Sequence, residues 1–191
     1  MDDKTRQQLR IASCSGEHVD TLEDVIRLRH STRNFQKNQI IPREIIDKLI
    51  DAARMAPSPK NSQPWFFYKV DDKQKMEEVA ETLRKKSEEP MIRRTASAIS
   101  SASAIIFVCK NTNSRNSFPS PSEQSIGAAI ENLVLQATAL GIDSLWVCDV
   151  LDAHDEIKRT LDLKYDFISA ILLGFSPGAD RKSIEEISSW L

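Results

Sequence analysis

Apolar positions recur along the chain at two periods. Leu22, Val25 and Ile26 are followed by Arg29 on one face of a short helix, which Thr21 and Asp24 start as a capping box and which ends near RHSTRNF. Ile45, Ile46, Leu49, Ile50 and Ala53 predict a second helix, with Pro42 at its first position and its end at Met55, before Pro57. Met76, Val79, Ala80 and Leu83 mark a charged surface helix, and an alanine- and serine-rich helix follows it. Ile126, Ile130, Leu133, Val134, Ala137 and Leu140 line one face of a longer helix. Ser120 and Glu123 cap its start, Pro121 is its first residue, and Gly141 is its C-cap.

Between these helices lie runs that are apolar or aromatic throughout: WFFYKV (65–70), AIIFVCK (104–110), SLWVCDV (144–150) and FISAILLGF (167–175). They read as strands buried on both faces, and so as a central sheet covered by helices in one α+β domain. A helix over 152–162 and an amphipathic turn from Ser183 to Trp190, capped by Ser183 and Glu186, complete the elements. Residues 1–20 show little periodicity and are assigned to an N-terminal arm, leaving 21–191 as the single domain. The polar segment 111–122 is the one long loop.

Composition narrows the class without naming a chemistry. The 191 residues carry 26 basic and 28 acidic side chains, a net charge of −2, so there is no general attraction to nucleic acid or membrane. Cys14, Cys109 and Cys148 match no metal spacing, and two of them lie in apolar runs, as reduced structural thiols do. The first residues lack an apolar h-region, and no apolar run approaches a membrane span, which makes the cytoplasm the expected compartment. No G-x-G-x-x-G, Walker A or G-x-S-x-G motif is present, and His18, His30 and His154 are too scattered for a zinc site.

Two stretches remain. In Arg29-His30-Ser31-Thr32-Arg33, guanidinium forks alternate with hydroxyls, a donor set suited to a phosphate monoester. Alone, that cluster is equally a solvated helix terminus. In APSPKNSQPW (56–65), three of the chain's eight prolines fall within eight residues, interleaved with amides and hydroxyls, so the segment is a rigid polar shelf beside an aromatic strand.

Read together, RHSTR, AARMAPSPKNSQPWFF, SIGAAIENLVLQATALGIDSLW and ILLGFSP, in this order and spacing, resemble the nitroreductase family of FMN-dependent oxidoreductases. The resemblance covers about residues 21–187. It implies the family's fold, a mostly antiparallel central sheet with helices on both faces, in an intertwined homodimer with FMN at the subunit interface. It makes Arg29 and Ser31 ligands of the FMN phosphate and ribityl chain, with His30 contributing through its backbone, and places Arg33 beside the pyrimidine edge of the flavin. Asn61 then faces the O4/N3/N5 edge, flanked by Ser58 and Gln63. Trp146 and Val147 pass over the ring through backbone contacts, Gly174 belongs to the matching ILLGFSP stretch, and Trp65 packs in the core. The family's basic pair near the C-terminus is only partly matched, by Arg181 with Lys182 as a substitute.

The same resemblance implies an activity. Hydride passes from NAD(P)H to flavin N5 and then, by a ping-pong route, to an electron-poor acceptor such as a nitroaromatic, a quinone or an activated alkene. No side-chain acid or base and no metal is required. Arg115 and Phe118 of the long loop are the acceptor-side candidates. Two other readings stay open: a protein of the same fold devoted to flavin storage, flavin cleavage or reductive dehalogenation, and a helical module whose RHSTR cluster binds a phosphopeptide.

Overall fold

The computed structural model describes residues 21–111 and 121–176. Helix α1 (Leu22–Leu28) begins at the Thr21 capping box, in which Thr21 Oγ1 accepts from Asp24 N–H and the Asp24 carboxylate accepts from Thr21 N–H. Helix α2 (Arg43–Arg54) starts one residue later than its sequence predicts. Pro42 has ψ 145° and so is the N-cap, not the first helical residue. A short 3-10 turn at Pro59–Asn61 leads into β1 (Trp65–Val70), followed by α3 (Lys73–Lys86), α4 (Pro90–Ser101) and β2 (Ala104–Lys110).

Helix α5 (Pro121–Ala139) stops as the glycine predicts: Gly141 takes φ 71°, its N–H donates to Thr138 O, and Ile142 N–H reaches back to Ala137 O. Its other expected cap, Ser120, lies outside the described residues. So do the arm, the Ser183–Trp190 turn and most of the long loop.

Strand β3 (Asp143–Val147) is shorter than its apolar run. Cys148 turns to αR values (φ −109°, ψ −15°), and residues Asp149–Ala153 wind into a 3-10 turn. Thr95 Oγ1 on α4 fixes this break by donating to Asp149 Oδ2 at 2.5 Å. Helix α6 accordingly covers only His154–Thr160, and β4 (Asp166–Gly174) is the last element among the described residues.

The four strands form one antiparallel sheet in the order β1-β2-β4-β3. One face buries Ile105, Phe107, Leu145, Val147, Ala170 and Leu172 against α3, α4 and α6. The other buries Ile106, Val108, Ile171 and Leu173 against α2 and α5, with Trp65 packed at its border. A register shift at Val108/Cys109 puts Phe167 and Ala170, three residues apart, on the same face. With both faces covered, strand polarity cannot alternate, which explains the continuous apolar runs.

Candidate functional site

The Arg29–Arg33 segment leaves α1 at Arg29, whose backbone turns to φ −57°, ψ 124°. It then runs along the outer edge of β3, where Ser31 bridges Ser144 in parallel and Thr32 N–H donates to Ser144 O at 2.9 Å. Beyond Arg33 the chain crosses the end of the sheet: Phe35 lies against Gly174, and Gln36 N–H donates to Phe175 O at 2.6 Å. Thr32 and Phe35 are buried, and this anchoring leaves Ser31 and Arg33 exposed and Arg29 half-buried. No hydrogen bond or ion pair engages the Arg29 or Arg33 guanidinium among the described residues, so both forks are available to an anion.

His30 is positioned through its side chain as well as its backbone. Its Nδ1 lies 2.9 Å from Leu28 O, and its Nε2 lies 3.3 Å from Asp143 Oδ1, within ion-pair range though outside hydrogen-bond alignment. The other oxygen of Asp143 accepts from both Ser176 N–H and Ser176 Oγ–H at 2.7 Å. Neither Asp143 nor Ser176 stands out in the sequence. The only hint is an acidic residue two places after the capping Gly141, where a strand begins.

The shelf is more constrained than its prolines alone require. Lys60, Asn61 and Gln63 all take positive φ, at 54°, 54° and 42°. Lys60 and Gln63 each cost about 1–2 kcal/mol there, whereas Asn61 enters the left-handed region more readily, and such strain accumulates where the surrounding structure needs a set geometry. Gln63 N–H donates to Ser58 Oγ at 3.0 Å, and Gln63 Nε2 donates to Asn61 Oδ1 at 3.2 Å. With Oδ1 engaged in that amide orientation, the Asn61 NH₂ is left to donate outward from an exposed side chain.

Trp146 lies on the α2/α5 face of β3 and is 41% exposed; its indole faces Gly127 of α5, where a Cβ would make only an ordinary contact, 4.0 Å from Cη2. Val147 is buried in the opposite core. Gly174 has a packing role against Phe35, as well as belonging to the expected site stretch. Arg115, Phe118, Arg181 and Lys182 lie outside the described residues.

These elements do not converge within one chain. By register, Trp65 is level with Lys110 and Asp166 at one end of the sheet, whereas Ser144 is level with Leu173 at the other end. β1 and β3 are also opposite edges of the sheet. Strand rise and spacing put the shelf and the Arg29–Arg33 segment roughly 30 Å apart, at diagonal corners.

The nitroreductase family profile matches residues 26–175. The chain belongs to the nitroreductase family. A protein of Methanothermobacter thermautotrophicus, provisionally named an NADH dehydrogenase/NAD(P)H nitroreductase, is 29% identical over 161 residues, covering 82% of this chain and 78% of its own. Among solved structures, a BluB-like flavoprotein of Clostridium difficile superposes with a TM-score of 0.71 at 28% identity, over 91% of this chain and all of that one. A nitroreductase of Desulfitobacterium hafniense, solved with FMN bound, shares the fold at a TM-score of 0.68 and 22% identity, over 91% of this chain and 100% of its own. The family member described here thus has the expected antiparallel sheet with helices on both faces.

Proposed function

We propose that this nitroreductase-family protein is an FMN-dependent oxidoreductase that draws hydride from NAD(P)H and delivers it to an electron-poor acceptor. The acceptor is a nitroaromatic, a quinone or an activated alkene, used in ping-pong order in the same pocket as the nicotinamide. Residues 21–191 act as one FMN-binding domain behind a 20-residue arm. When bound, FMN supplies a two-electron carrier that takes hydride at N5 and gives it up again.

The residues present fit that group. Arg29 and Ser31 offer a fork and a hydroxyl to a phosphate, and Arg33 adds a second guanidinium to balance negative charge on a reduced ring. The shelf presents the Asn61 amide, already turned outward and locked by Gln63, to a carbonyl-rich ring edge. We assign Arg181 and Lys182 to the phosphate clamp and Arg115 and Phe118 to the acceptor side.

The observation that carries the reading is the diagonal separation of the two halves. A single FMN cannot touch both corners of one chain, whereas a second copy brings its shelf to the first copy's arginine segment. The surface supports a homodimer: beyond its buried face, α5 leaves Gly127, Ala128, Leu135 and Ala139 partly or fully exposed. Leu22 (69% exposed) and Ile26 (55%) on the neighbouring α1 extend that apolar surface.

Complementation tests this arrangement. Arg29→Glu chains and chains carrying Asn61→Ala with Gln63→Ala should each lose FMN, while a refolded mixture of the two recovers flavin and NAD(P)H oxidation in heterodimers with one intact site. No recovery on mixing, with both variants dimeric, would place the site within one chain.

A further inference from the structure

We infer that Asp143 is a positioning residue for the phosphate-binding segment, acting through His30 on one side and Ser176 on the other. The inference rests on the FMN reading above, and deepens it by naming what holds the arginine segment in place.

Arg29–Arg33 is held to the sheet unevenly. Its later part has two backbone bonds, Thr32 N–H to Ser144 O and Gln36 N–H to Phe175 O, as well as the buried Phe35 ring. Its first part, where α1 unwinds at Arg29, meets the sheet through the His30 ring beside Asp143. Ser31 and Arg33 are exposed, so their own side chains do not anchor them.

Asp143 is suited to that task by its surroundings. It opens β3, pairs with Gly174 in the ladder, and is largely shielded, with a side chain 21% exposed. One oxygen is saturated by the two Ser176 donors, and the other faces the ring nitrogen that Leu28 O leaves free. One carboxylate therefore joins three chain segments: the turn out of α1, the start of β3 and the exit of β4. It fixes the ring, hence the backbone of residue 30, hence the direction in which Arg29 and Ser31 leave that backbone.

An opposing effect acts at the same place. A carboxylate near a phosphate site repels the phosphate, so its removal could strengthen binding. Here the two Ser176 donors, with the His30 ring nitrogen beside the other oxygen, absorb its charge locally, and the positioning effect is inferred to dominate. The two effects predict opposite outcomes for the amide variant. In Asp143→Asn the amide oxygen can still accept from Ser176 and the NH₂ can donate to His30 Nε2, so positioning survives while the charge is gone.

The experiment measures the affinity of each variant for FMN and for riboflavin, which lacks the phosphate, by quenching of flavin fluorescence, with thermal unfolding of the apoprotein alongside. Asp143→Ala should weaken FMN about tenfold and leave riboflavin within about twofold, and Asp143→Asn should restore FMN to within about threefold of wild type. Ser176→Ala, which removes a single bond to the same carboxylate, serves where Asp143→Ala does not fold, with a loss of about threefold confined to FMN. Equal weakening of FMN and riboflavin would show a merely structural residue and overturn the inference. Tighter FMN binding by both Asp143 variants would show a repelling charge and overturn it equally. A wild-type chain that binds neither flavin would overturn the cofactor reading, and this inference with it.

Discussion

The ring of Phe35 occupies the space above Gly174: a Cβ on that glycine would lie 2.6 Å from Phe35 Cδ1, 3.1 Å from Cγ and 3.3 Å from Cβ. Turning the ring moves Cδ1, but Cγ and Cβ lie on the rotation axis, so two contacts tighter than an ordinary Cβ contact remain. Phe35 is 7% exposed and sits in the α3/α4 core, two residues after Arg33, so β4 and the arginine segment meet at this contact. Gly174→Ala should therefore lower the unfolding free energy by about 1–3 kcal/mol. It should also weaken FMN, because the segment shifts with Phe35. A urea titration showing an unchanged midpoint would mean the chain yields there freely.

Arg29→Ala should weaken FMN about tenfold to a few hundredfold, since a bidentate charge-assisted contact to phosphate is lost. Arg29→Lys should fall between, because a single ammonium keeps the charge without the fork. Equilibrium dialysis against FMN measures both. An unaltered affinity in the alanine variant would put the phosphate elsewhere.

Arg33 has a separate role to test. In the proposed site it stands beside the flavin's pyrimidine edge, where glutamine would remove a fixed positive charge while keeping hydrogen bonding. Loss of about 1–2 kcal/mol of differential stabilisation lowers the two-electron potential by roughly 20–40 mV. Photoreduction with a reference dye reads that potential. FMN retention should suffer less than in Arg29→Ala, and an unshifted potential with flavin bound would remove Arg33 from this role.

The shelf strain predicts a sign that depends on residue type. Lys60 has φ 54° and an exposed side chain. Glycine there relieves the left-handed strain but adds unfolded-state entropy, for a net gain of up to about 1 kcal/mol. Valine, which tolerates positive φ least, should cost about 1–2 kcal/mol. Thermal unfolding of the pair would show the opposite order if this turn were unstrained.

Burial raises the Cys109 thiol to about 12, with the Asp166 carboxylate adding to the effect. The folded state therefore keeps this proton at a pH where the unfolded chain loses it. The resulting stability is fully present below the ordinary thiol value of 9.0 and is lost as pH rises from there towards about 12. Cys109→Ala should flatten the alkaline decline of unfolding free energy measured between those limits. In native protein at pH 8, iodoacetamide should reach exposed Cys148 before Cys109.

Much of this fold is written in local pattern. The helices follow from apolar spacing with Thr21 and Gly141 as punctuation, and the strands from runs that a doubly covered sheet requires. The arginine segment and the polar shelf were legible for the same reason, as unusual residue types in short windows. What local pattern misses is set by contacts between distant residues. The early end of β3 depends on Thr95 reaching Asp149. The left-handed turn at Lys60, Asn61 and Gln63 has no glycine to signal it. The link from His30 through Asp143 to Ser176 joins three separate parts of the chain, and the diagonal placement of the two half-sites follows from strand order, which no single segment encodes.

The proposed function makes this chain a flavoprotein built around FMN. The visible absorbance spectrum of the purified protein tests it most directly, followed by chromatography of the flavin released on heating. The protein should be yellow, carry one non-covalent FMN per subunit and bleach on addition of NAD(P)H. A colourless protein that takes up no FMN, or one that releases FAD instead, would contradict it.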